Sequence, residues 1–204
     1  PPRSTLFPYT TLFRSVVGCL GTGTLRGRHL GSVSAGLVYH AKCPVAILHG
    51  DLQLAADLAR APVLVGIDGA AHTDAAIAIA FDEASRRKVD LSVVHAWKDV
   101  GVFDPIVGSR GPGWPALRAI EDEVVAERLA GWGERYPDVH VNKVIARGDP
   151  ARQLVENSQW AQLVVVGNRG GGGFAGVLMG SVSAAVTLLA HVPVIVAHDR
   201  EHNR

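Results

Sequence analysis

At 204 residues, the chain is long enough for one ordinary domain and part of a second. Its hydrophobic share of 48% predicts a sizeable core, and a formal net charge of +1 provides no field that would attract nucleic acid or an anionic membrane. We therefore expect neither of those partners. Cys19 and Cys43 lack metal-type spacing and predict no disulfide framework, which favours a reducing cytoplasm.

The first fifteen residues differ from everything that follows. The run PPRSTLFPYTTLFRS has no hydrophobic periodicity, and it resembles the in-frame translation of a sequencing-library adapter. We expect residues 1–15 to be a non-native segment, with biological sequence starting at Val16. A genuine N-terminal arm is the alternative.

An internal repeat gives the domain organisation. A shift of 149 positions lays residues 16–50 on residues 165–199 without a gap, and internal duplication is the economical explanation. It predicts a tandem two-domain parent protein. The expected parts of this chain are a C-terminal fragment of the first copy, a linker, one complete copy and a tail, at residues 16–50, 51–60, 61–198 and 199–204.

Within the complete copy, short β-branched runs alternate with helical patterns. Runs of this kind predict buried parallel strands, here at residues 63–67, 91–96, 141–146, 163–166 and 194–197. Helical apolar spacing lies between them, at Ile77, Ala80, Phe81 and Ala84, at Leu117, Ile120, Val124 and Trp132, at Leu154 and Val155, and over Ser181–Leu189. The alternation predicts right-handed crossovers and an α/β, doubly wound, five-stranded parallel sheet.

Two further stretches have unusual composition. Residues 98–115 are rich in glycine and proline and predict a long loop, either a flap over a site or a surface insertion. Residues 176–197 are nearly uncharged, but Ser181, His191 and Pro193 interrupt them. That interruption favours a buried helix and strand over a membrane span.

A glycine constellation follows the fourth strand. Gly167 and Gly170 are followed, after nine residues, by residues 180–183, which open a predicted helix. Glycines let a backbone approach an anion closely, and the N–H groups at a helix start favour negative charge. Serine hydroxyls and Arg169 add donors suited to phosphate. The pattern predicts a phosphate site; a glycine-rich turn with an ordinary serine N-cap is the alternative.

Several motifs together resemble the universal stress protein family in its ATP-binding branch. They are the glycine spacing, the start VLVGIDG, the strand LSVVHAW and the segment ARGDPARQL. The resemblance covers residues 61–198 and, as the tail of a second domain, residues 16–49. It implies an adenine-nucleotide alpha-hydrolase-like sheet with strand order 3-2-1-4-5. It also implies packing through the last strands, as a homodimer or as an intramolecular pseudo-dimer in which residues 45–48 lie along 194–197.

The same resemblance implies a bound adenine nucleotide, ATP with Mg²⁺. Asp68 would face the adenosine, the Ala96 backbone the adenine edge, and the glycine and serine groups the phosphates. On the residues alone, Asp68 is equally suited to capping a turn. The implied contacts are Gly66, Ile67, Asp68, Ala96, Val166, Gly167, Arg169, Gly170, Gly180, Ser181, Val182 and Ser183.

The first-copy fragment repeats only part of this pattern. It keeps the glycine spacing at Gly18, Gly21 and Gly31, but Cys19 and Leu20 replace the Asn–Arg pair of the complete copy. It has no counterpart of Asp68 or Ala96. We expect one nucleotide per chain, in the complete copy, with the fragment acting as a packing element.

Three functions remain open on the sequence: a nucleotide-dependent regulatory module of the stress response, a weak ATP-hydrolysing or adenylyl-transfer enzyme, and a dimerisation domain with a vestigial site. The sequence contains no G-x-S-x-G, G-x-x-x-x-G-K-[ST] or H-E-x-x-H motif. A G-x-G-x-x-G run at Gly171, Gly173 and Gly176 lacks a following βαβ unit, which argues against a dinucleotide site. His95, inside a strand, fits a core residue better than a base. We expect the regulatory module and no enzyme.

Overall fold

The computed structural model describes residues 15–18, 30–49, 56–70, 73–97, 114–169 and 179–198. Its strands are β1 Ser15–Gly18, β2 Val45–Leu48, β3 Val63–Ile67, β4 Leu91–Trp97, β5 Val141–Arg147, β6 Leu163–Gly167 and β7 Val194–Ala197. Its α-helices are α1 Ser32–His40, α2 Asp74–Arg87, α3 Trp114–Leu129, α4 Trp132–Arg135, α5 Pro150–Ser158 and α6 Ser181–Leu189, with a 3₁₀ helix at Ala56–Arg60. The predicted strands are confirmed, and β4, β5 and β6 each extend one residue further.

All of these strands form one sheet in the order β1-β2-β7-β6-β3-β4-β5. Neighbouring strands are parallel, except β2 and β7, which are antiparallel. The prediction of an α/β fold with a mainly parallel sheet is confirmed, but the sheet has seven strands instead of five. The two additional strands are β1 and β2, from the predicted first-copy fragment. β2 pairs with β7 and so covers an edge that would otherwise be unpaired.

β2 and β7 meet at a seam whose register follows the internal repeat. Val45 lies opposite Val196, and Ala46 lies opposite Ile195. Ala46 and Ile195 are themselves equivalent positions, 149 apart in the chain. An antiparallel pair in which equivalent residues face each other has a local pseudo-two-fold axis at that point.

The repeat extends to element bounds and to a side-chain contact. β2 and β7 begin and end at equivalent positions, and so do α1 and α6. The Ser34 hydroxyl donates to the Gly18 carbonyl at 2.7 Å, and the equivalent Ser183 hydroxyl donates to the Gly167 carbonyl at 2.5 Å. The two segments therefore build the same strand–helix–strand unit.

Helices cover both faces of the sheet. On one face α2 and α3 contribute the buried side chains of Phe81 and Val125, and the partly buried Trp132 of α4 packs against them. On the other face α1, α5 and α6 contribute Val38, Leu154 and Val186. Successive residues of a strand point to opposite faces, so the central strands are buried on both sides, as their continuous apolar runs predict.

β5 differs from its prediction as a buried strand. It is an edge strand, and its side chains are half-buried or exposed. The physical reason is its position, since an edge strand has a neighbour on one side only and the covering helices lie over the interior strands.

The predicted apolar stripe of the second helix is confirmed in part. Leu117, Val124 and Trp132 are half-buried, but Ile120 is 53% exposed and the unpredicted Val125 is fully buried. The stripe assumed one continuous helix as far as Trp132, but α3 ends at Leu129. Gly131 adopts a φ of 78° between α3 and α4, and the ring of Trp132 then stacks on Phe81 with centroids 5.3 Å apart.

Parts of four predicted segments lie outside the described residues. They are residues 1–14 of the non-native segment, residues 51–55 of the linker, residues 98–113 of the long loop and the tail at residues 199–204. Ser15, the last residue of the predicted non-native segment, opens β1, and its N–H donates to the Pro44 carbonyl at 3.1 Å. The remainder of the predicted linker is the 3₁₀ helix, and Trp114 and Pro115 of the predicted loop begin α3. Among the described helices, none combines the length and apolarity needed to cross a membrane.

Candidate functional site

The order of the strands creates a crevice at the carboxyl edge of the sheet. From β3 the chain builds β4 and β5 on one side, and it then crosses to β6 and β7 on the other. Open α/β sheets bind ligands at such a switch point, here between the carboxyl ends of β3 and β6. Predicted site residues lie at or just after the carboxyl ends of β3, β4 and β6.

Backbone hydrogen bonds join the end of β6 to the start of α6. The Asn168 N–H donates to the Ala197 carbonyl at 2.7 Å, and the Gly180 N–H donates to the Asn168 carbonyl at 2.8 Å. Gly180 is the N-cap of α6, with φ −68° and ψ 149°, and among the described residues no side chain caps this helix. The first N–H groups of a helix have no partner within it. The start of α6 therefore carries backbone donors that the helix itself does not use.

The predicted phosphate residues lie around this helix start. Val166 and Gly167 are buried at the end of β6, and Arg169 is exposed two residues later. Gly170 lies outside the described residues. Ser181 is exposed and Val182 is half-buried, both in the first turn of α6.

Ser183 differs from its predicted role as a hydroxyl donor to phosphate. Its side chain is buried, and its hydroxyl donates to the Gly167 carbonyl. That bond commits the hydroxyl proton to the end of β6. Ser183 therefore fastens α6 to the strand, and only its backbone N–H is left for the predicted contact.

The end of β3 has a tightly packed backbone. A Cβ on Gly66 would lie 2.8 Å from Leu154 Cδ1, so the packing of α5 accounts for this glycine. Asp68 is exposed, and its Oδ1 accepts a hydrogen bond from the Ala70 N–H at 3.1 Å. The turn-capping interpretation of Asp68 is therefore present in the structure. Ile67, which precedes it, is buried.

Gly69 was missed by the sequence analysis, although it belongs to the VLVGIDG motif. Its φ is +78°, and a Cβ there would lie 2.7 Å from Val124 Cγ1 of α3. An L-amino acid with a side chain rarely adopts that backbone conformation. The turn after β3 thus requires glycine both for its conformation and for its contact with α3.

Ala96 lies near the carboxyl end of β4 and is 8% exposed. The pairing of β4 with β3 ends at His95 opposite Ile67, while its pairing with β5 continues to Trp97. β4 therefore extends past the end of the β3 ladder. At Ala96 the backbone borders the crevice without a ladder partner in β3.

His95 and Glu121 form a partly buried contact next to this point. His95 is 4% exposed; its Nδ1 lies 3.1 Å from the Ile67 carbonyl oxygen, and its Nε2 lies 2.8 Å from Glu121 Oε2. The expectation of a hydrogen-bonded core histidine is met. Nothing in the sequence indicated Glu121 as its partner, because the two residues lie 26 positions apart.

His198 is a second histidine at the carboxyl edge, one residue after β7. It is 7% exposed, and among the described residues its Nε2 has no hydrogen-bond partner. Burial lowers the pKa of His198 below its ordinary value of 6.5, and the nearby positive charge of Arg169 lowers it further. Both effects favour the neutral form of the ring. No sequence pattern pointed to His198 as part of the site.

A mainly parallel α/β sheet with helices on both faces and a crevice at its switch point places the protein in the doubly wound class. The model of the universal stress protein family matches residues 60–198, more than half of the chain. The chain belongs to the universal stress protein family.

Close relatives come from mycobacteria. Over 186 residues the chain is 56% identical to universal stress protein Rv2623 of Mycobacterium tuberculosis, covering 90% of this chain and 61% of that protein. A universal stress protein of Mycolicibacterium smegmatis is 50% identical over 185 residues, covering 91% of this chain and 61% of that protein. The chain thus spans about three fifths of the length of these relatives, 61%.

Solved structures share the fold. A universal stress protein from Archaeoglobus fulgidus superposes with a TM-score of 0.60 at 26% identity, covering 92% of this chain and 62% of that one. A universal stress protein from Pseudomonas aeruginosa gives a TM-score of 0.65 at 19% identity, covering 92% and 64%. The second likeness is evidence for the fold alone.

Proposed function

We propose that this chain binds an adenine nucleotide, ATP, in the crevice between the carboxyl ends of β3 and β6. The triphosphate lies at the start of α6, with the backbone N–H groups of residues 181–183 and the Arg169 guanidinium as donors. The observation that carries the proposal is the uncapped start of α6, hydrogen-bonded beside the end of β6 at the switch point of the sheet.

The adenosine lies on the β3 and β4 side of the same crevice. The extension of β4 past the β3 ladder supports this placement, because it leaves backbone groups at Ala96 beside the crevice. Such groups are suited to the hydrogen-bonding edge of adenine. Asp68, exposed at the end of β3, is the polar side chain that we assign to the ribose.

In this proposal Mg²⁺ arrives with the triphosphate. Within the described ranges, no group of three His, Cys, Asp or Glu side chains could hold a metal ion. Mg²⁺ usually keeps several waters and binds substrate phosphates with one or two carboxylates, so it requires no such group.

The role that we propose is regulatory, in the stress response, with bound nucleotide stabilising one conformation instead of being rapidly hydrolysed. The engagement of His95 supports this view. Both of its ring nitrogens lie within hydrogen-bond distance of protein oxygens, so the ring is not placed to activate water.

We also propose that residues 16–50 are part of a second, tandem domain. Val16 is 61% exposed and Leu48 is 41% exposed, whereas their repeat equivalents Val165 and Ala197 are buried in the core cluster that α2 contributes to. The equivalence suggests that a strand and helix like β3 and α2 cover Val16 and Leu48 in the longer protein. The seam between β2 and β7 then joins two domains as a pseudo-dimer.

Isothermal titration calorimetry with ATP, with and without Mg²⁺, tests the proposal. Two matched substitutions locate the site: Gly180→Val at the α6 N-cap and Gly31→Val at the equivalent α1 N-cap. Both glycines have extended backbone conformations that valine can adopt, with φ −68° and −60°. We expect one nucleotide per chain, lost in Gly180→Val because the branched Cβ occupies the space next to the phosphates. Gly31→Val should bind normally.

Two results would contradict the site. ATP affinity unchanged in a folded Gly180→Val protein would remove the phosphate position, and two equivalent sites per chain would contradict the assignment to the complete copy. Circular dichroism on both variants shows whether the fold is retained.

A further inference from the structure

We propose that His95 and Glu121 together position the turn after β3, residues 67–69, for the nucleoside half of the ligand. The inference rests on the proposed function, and it assigns to this pair a positioning role that acts through the turn. Neither residue needs to touch the nucleotide. The argument starts from the two ring nitrogens of His95.

Protein oxygens hold both ring nitrogens of His95. The Ile67 carbonyl can only accept a hydrogen bond, so His95 Nδ1 is the donor over 3.1 Å. On the other side of the ring, Nε2 lies 2.8 Å from Glu121 Oε2, within hydrogen-bond distance. The ring therefore links α3 to the end of β3.

The ring and α3 hold the turn from two sides. His95 fixes the Ile67 carbonyl, and Val124 packs against the backbone of Gly69. Glu121 and Val124 are three residues apart on α3, so they lie on the same face of that helix. The same face of α3 therefore contacts the turn directly through Val124 and indirectly through His95.

The turn carries Asp68 and lies next to Ala96, the two residues assigned to the nucleoside. Loss of the His95 contact releases the Ile67 carbonyl and leaves a buried polar atom without its partner. A displaced turn should weaken binding of the nucleoside. The start of α6, on the other side of the crevice, keeps its own bonds to Asn168 and Gly167.

The pair can be tested by three substitutions. His95→Leu removes both hydrogen bonds, and Glu121→Ala leaves Nε2 without a partner. Glu121→Gln should rescue the arrangement, because its amide N–H donates to a bare Nε2 while Nδ1 still donates to Ile67. The rescue distinguishes a hydrogen-bonded positioning role from a requirement for negative charge.

Gln162→Ala is the matched control. Gln162 is 8% exposed, its amide donates to the Ala61 carbonyl at 2.6 Å, and it accepts from Arg87 at 2.9 Å. It is thus a buried polar residue of similar connectivity, but it lies just before β6, at the opposite end of the strands. Its loss should lower stability without affecting either half of the ligand.

The measurement is the affinity of each variant of this chain for ATP and for inorganic tripolyphosphate. We expect His95→Leu and Glu121→Ala to weaken ATP binding by about tenfold. Tripolyphosphate binding should stay unchanged, and Glu121→Gln and Gln162→Ala should retain both affinities. A role confined to stability would lower the melting temperature without changing the ratio of the two affinities.

Failure of the inference can be told apart from failure of the proposed function. If the unsubstituted protein does not bind ATP, the proposed function is wrong and the positioning role is overturned with it. If it binds ATP, but His95→Leu and Glu121→Ala leave the ratio of ATP to tripolyphosphate affinity unchanged while remaining folded, only the positioning role is overturned.

Discussion

Replacing Gly69 by alanine tests the packed turn at the end of β3. Two costs can be separated in the structure. The φ of +78° places alanine in the left-handed region, which costs an L-residue about 1–2 kcal/mol. The Cβ would also lie 2.7 Å from Val124 Cγ1, and relieving such overpacking costs about 1–3 kcal/mol. Gly69→Ala should therefore lower the free energy of unfolding by about 2–5 kcal/mol.

Gly131→Ala isolates the first of these costs. Gly131 has the same φ of +78°, but nothing lies within 4 Å of its Cβ position. We expect it to cost about 1–2 kcal/mol in urea denaturation monitored by circular dichroism. In a Val124→Ala background, the cost of Gly69→Ala should fall to about that level, because the opposing methyl groups are gone. Equal costs for Gly69→Ala in both backgrounds, or a cost no larger than that of Gly131→Ala, would refute the steric part of the reasoning.

The remaining predictions concern the crevice and the seam. Asp68→Ala should weaken ATP binding by about 1–3 kcal/mol in calorimetry through a lost polar contact; a change in melting temperature alone would reduce Asp68 to a turn cap. Because the pKa of His198 is lowered in the folded protein, the unfolded chain binds more protons as the pH falls below the ordinary value of 6.5. The free energy of unfolding that depends on His198 is therefore fully present above that pH and is lost on acidification. Between about pH 7 and about pH 5, the free energy of unfolding of His198→Gln should fall by less than that of the unsubstituted chain. An identical loss in both proteins, measured by urea denaturation, would contradict this. Deleting residues 1–49 should expose the edge of β7 and cause self-association in size-exclusion chromatography; a monomer of equal solubility would show that β2 is dispensable.

The candidate site was only partly predictable from the sequence. The glycine spacing, the start of α6 and the position of Asp68 after β3 follow from local patterns, and the structure places their described members around one crevice. The hydroxyl of Ser183 was assigned to phosphate because serine at a helix start is a donor. Only the structure shows that the Gly167 carbonyl takes its proton, since that contact depends on how α6 packs on β6.

Contacts between distant segments lay beyond the sequence patterns. No spacing rule connects His95 with Glu121, or Gly69 with Val124, because α3 reaches them after residues 98–113. The burial of His198 has the same origin, since one residue past a strand is exposed or covered according to its neighbours.

By itself, the sequence determined the strands, most of the helices and the repeat, because apolar periodicity and glycine placement act over a few residues. Which strands lie at an edge and which segments share a sheet did not follow from the residue patterns; only the family resemblance implied them, and the tertiary structure decided them. Val141–Arg147 has the apolar pattern of a buried strand, yet it forms an edge. Val45–Leu48 pairs antiparallel with Val194–Ala197 and brings the sheet to seven strands. Both outcomes depend on backbone hydrogen bonds between residues far apart in the chain, and such bonds leave no local periodicity from which to predict them.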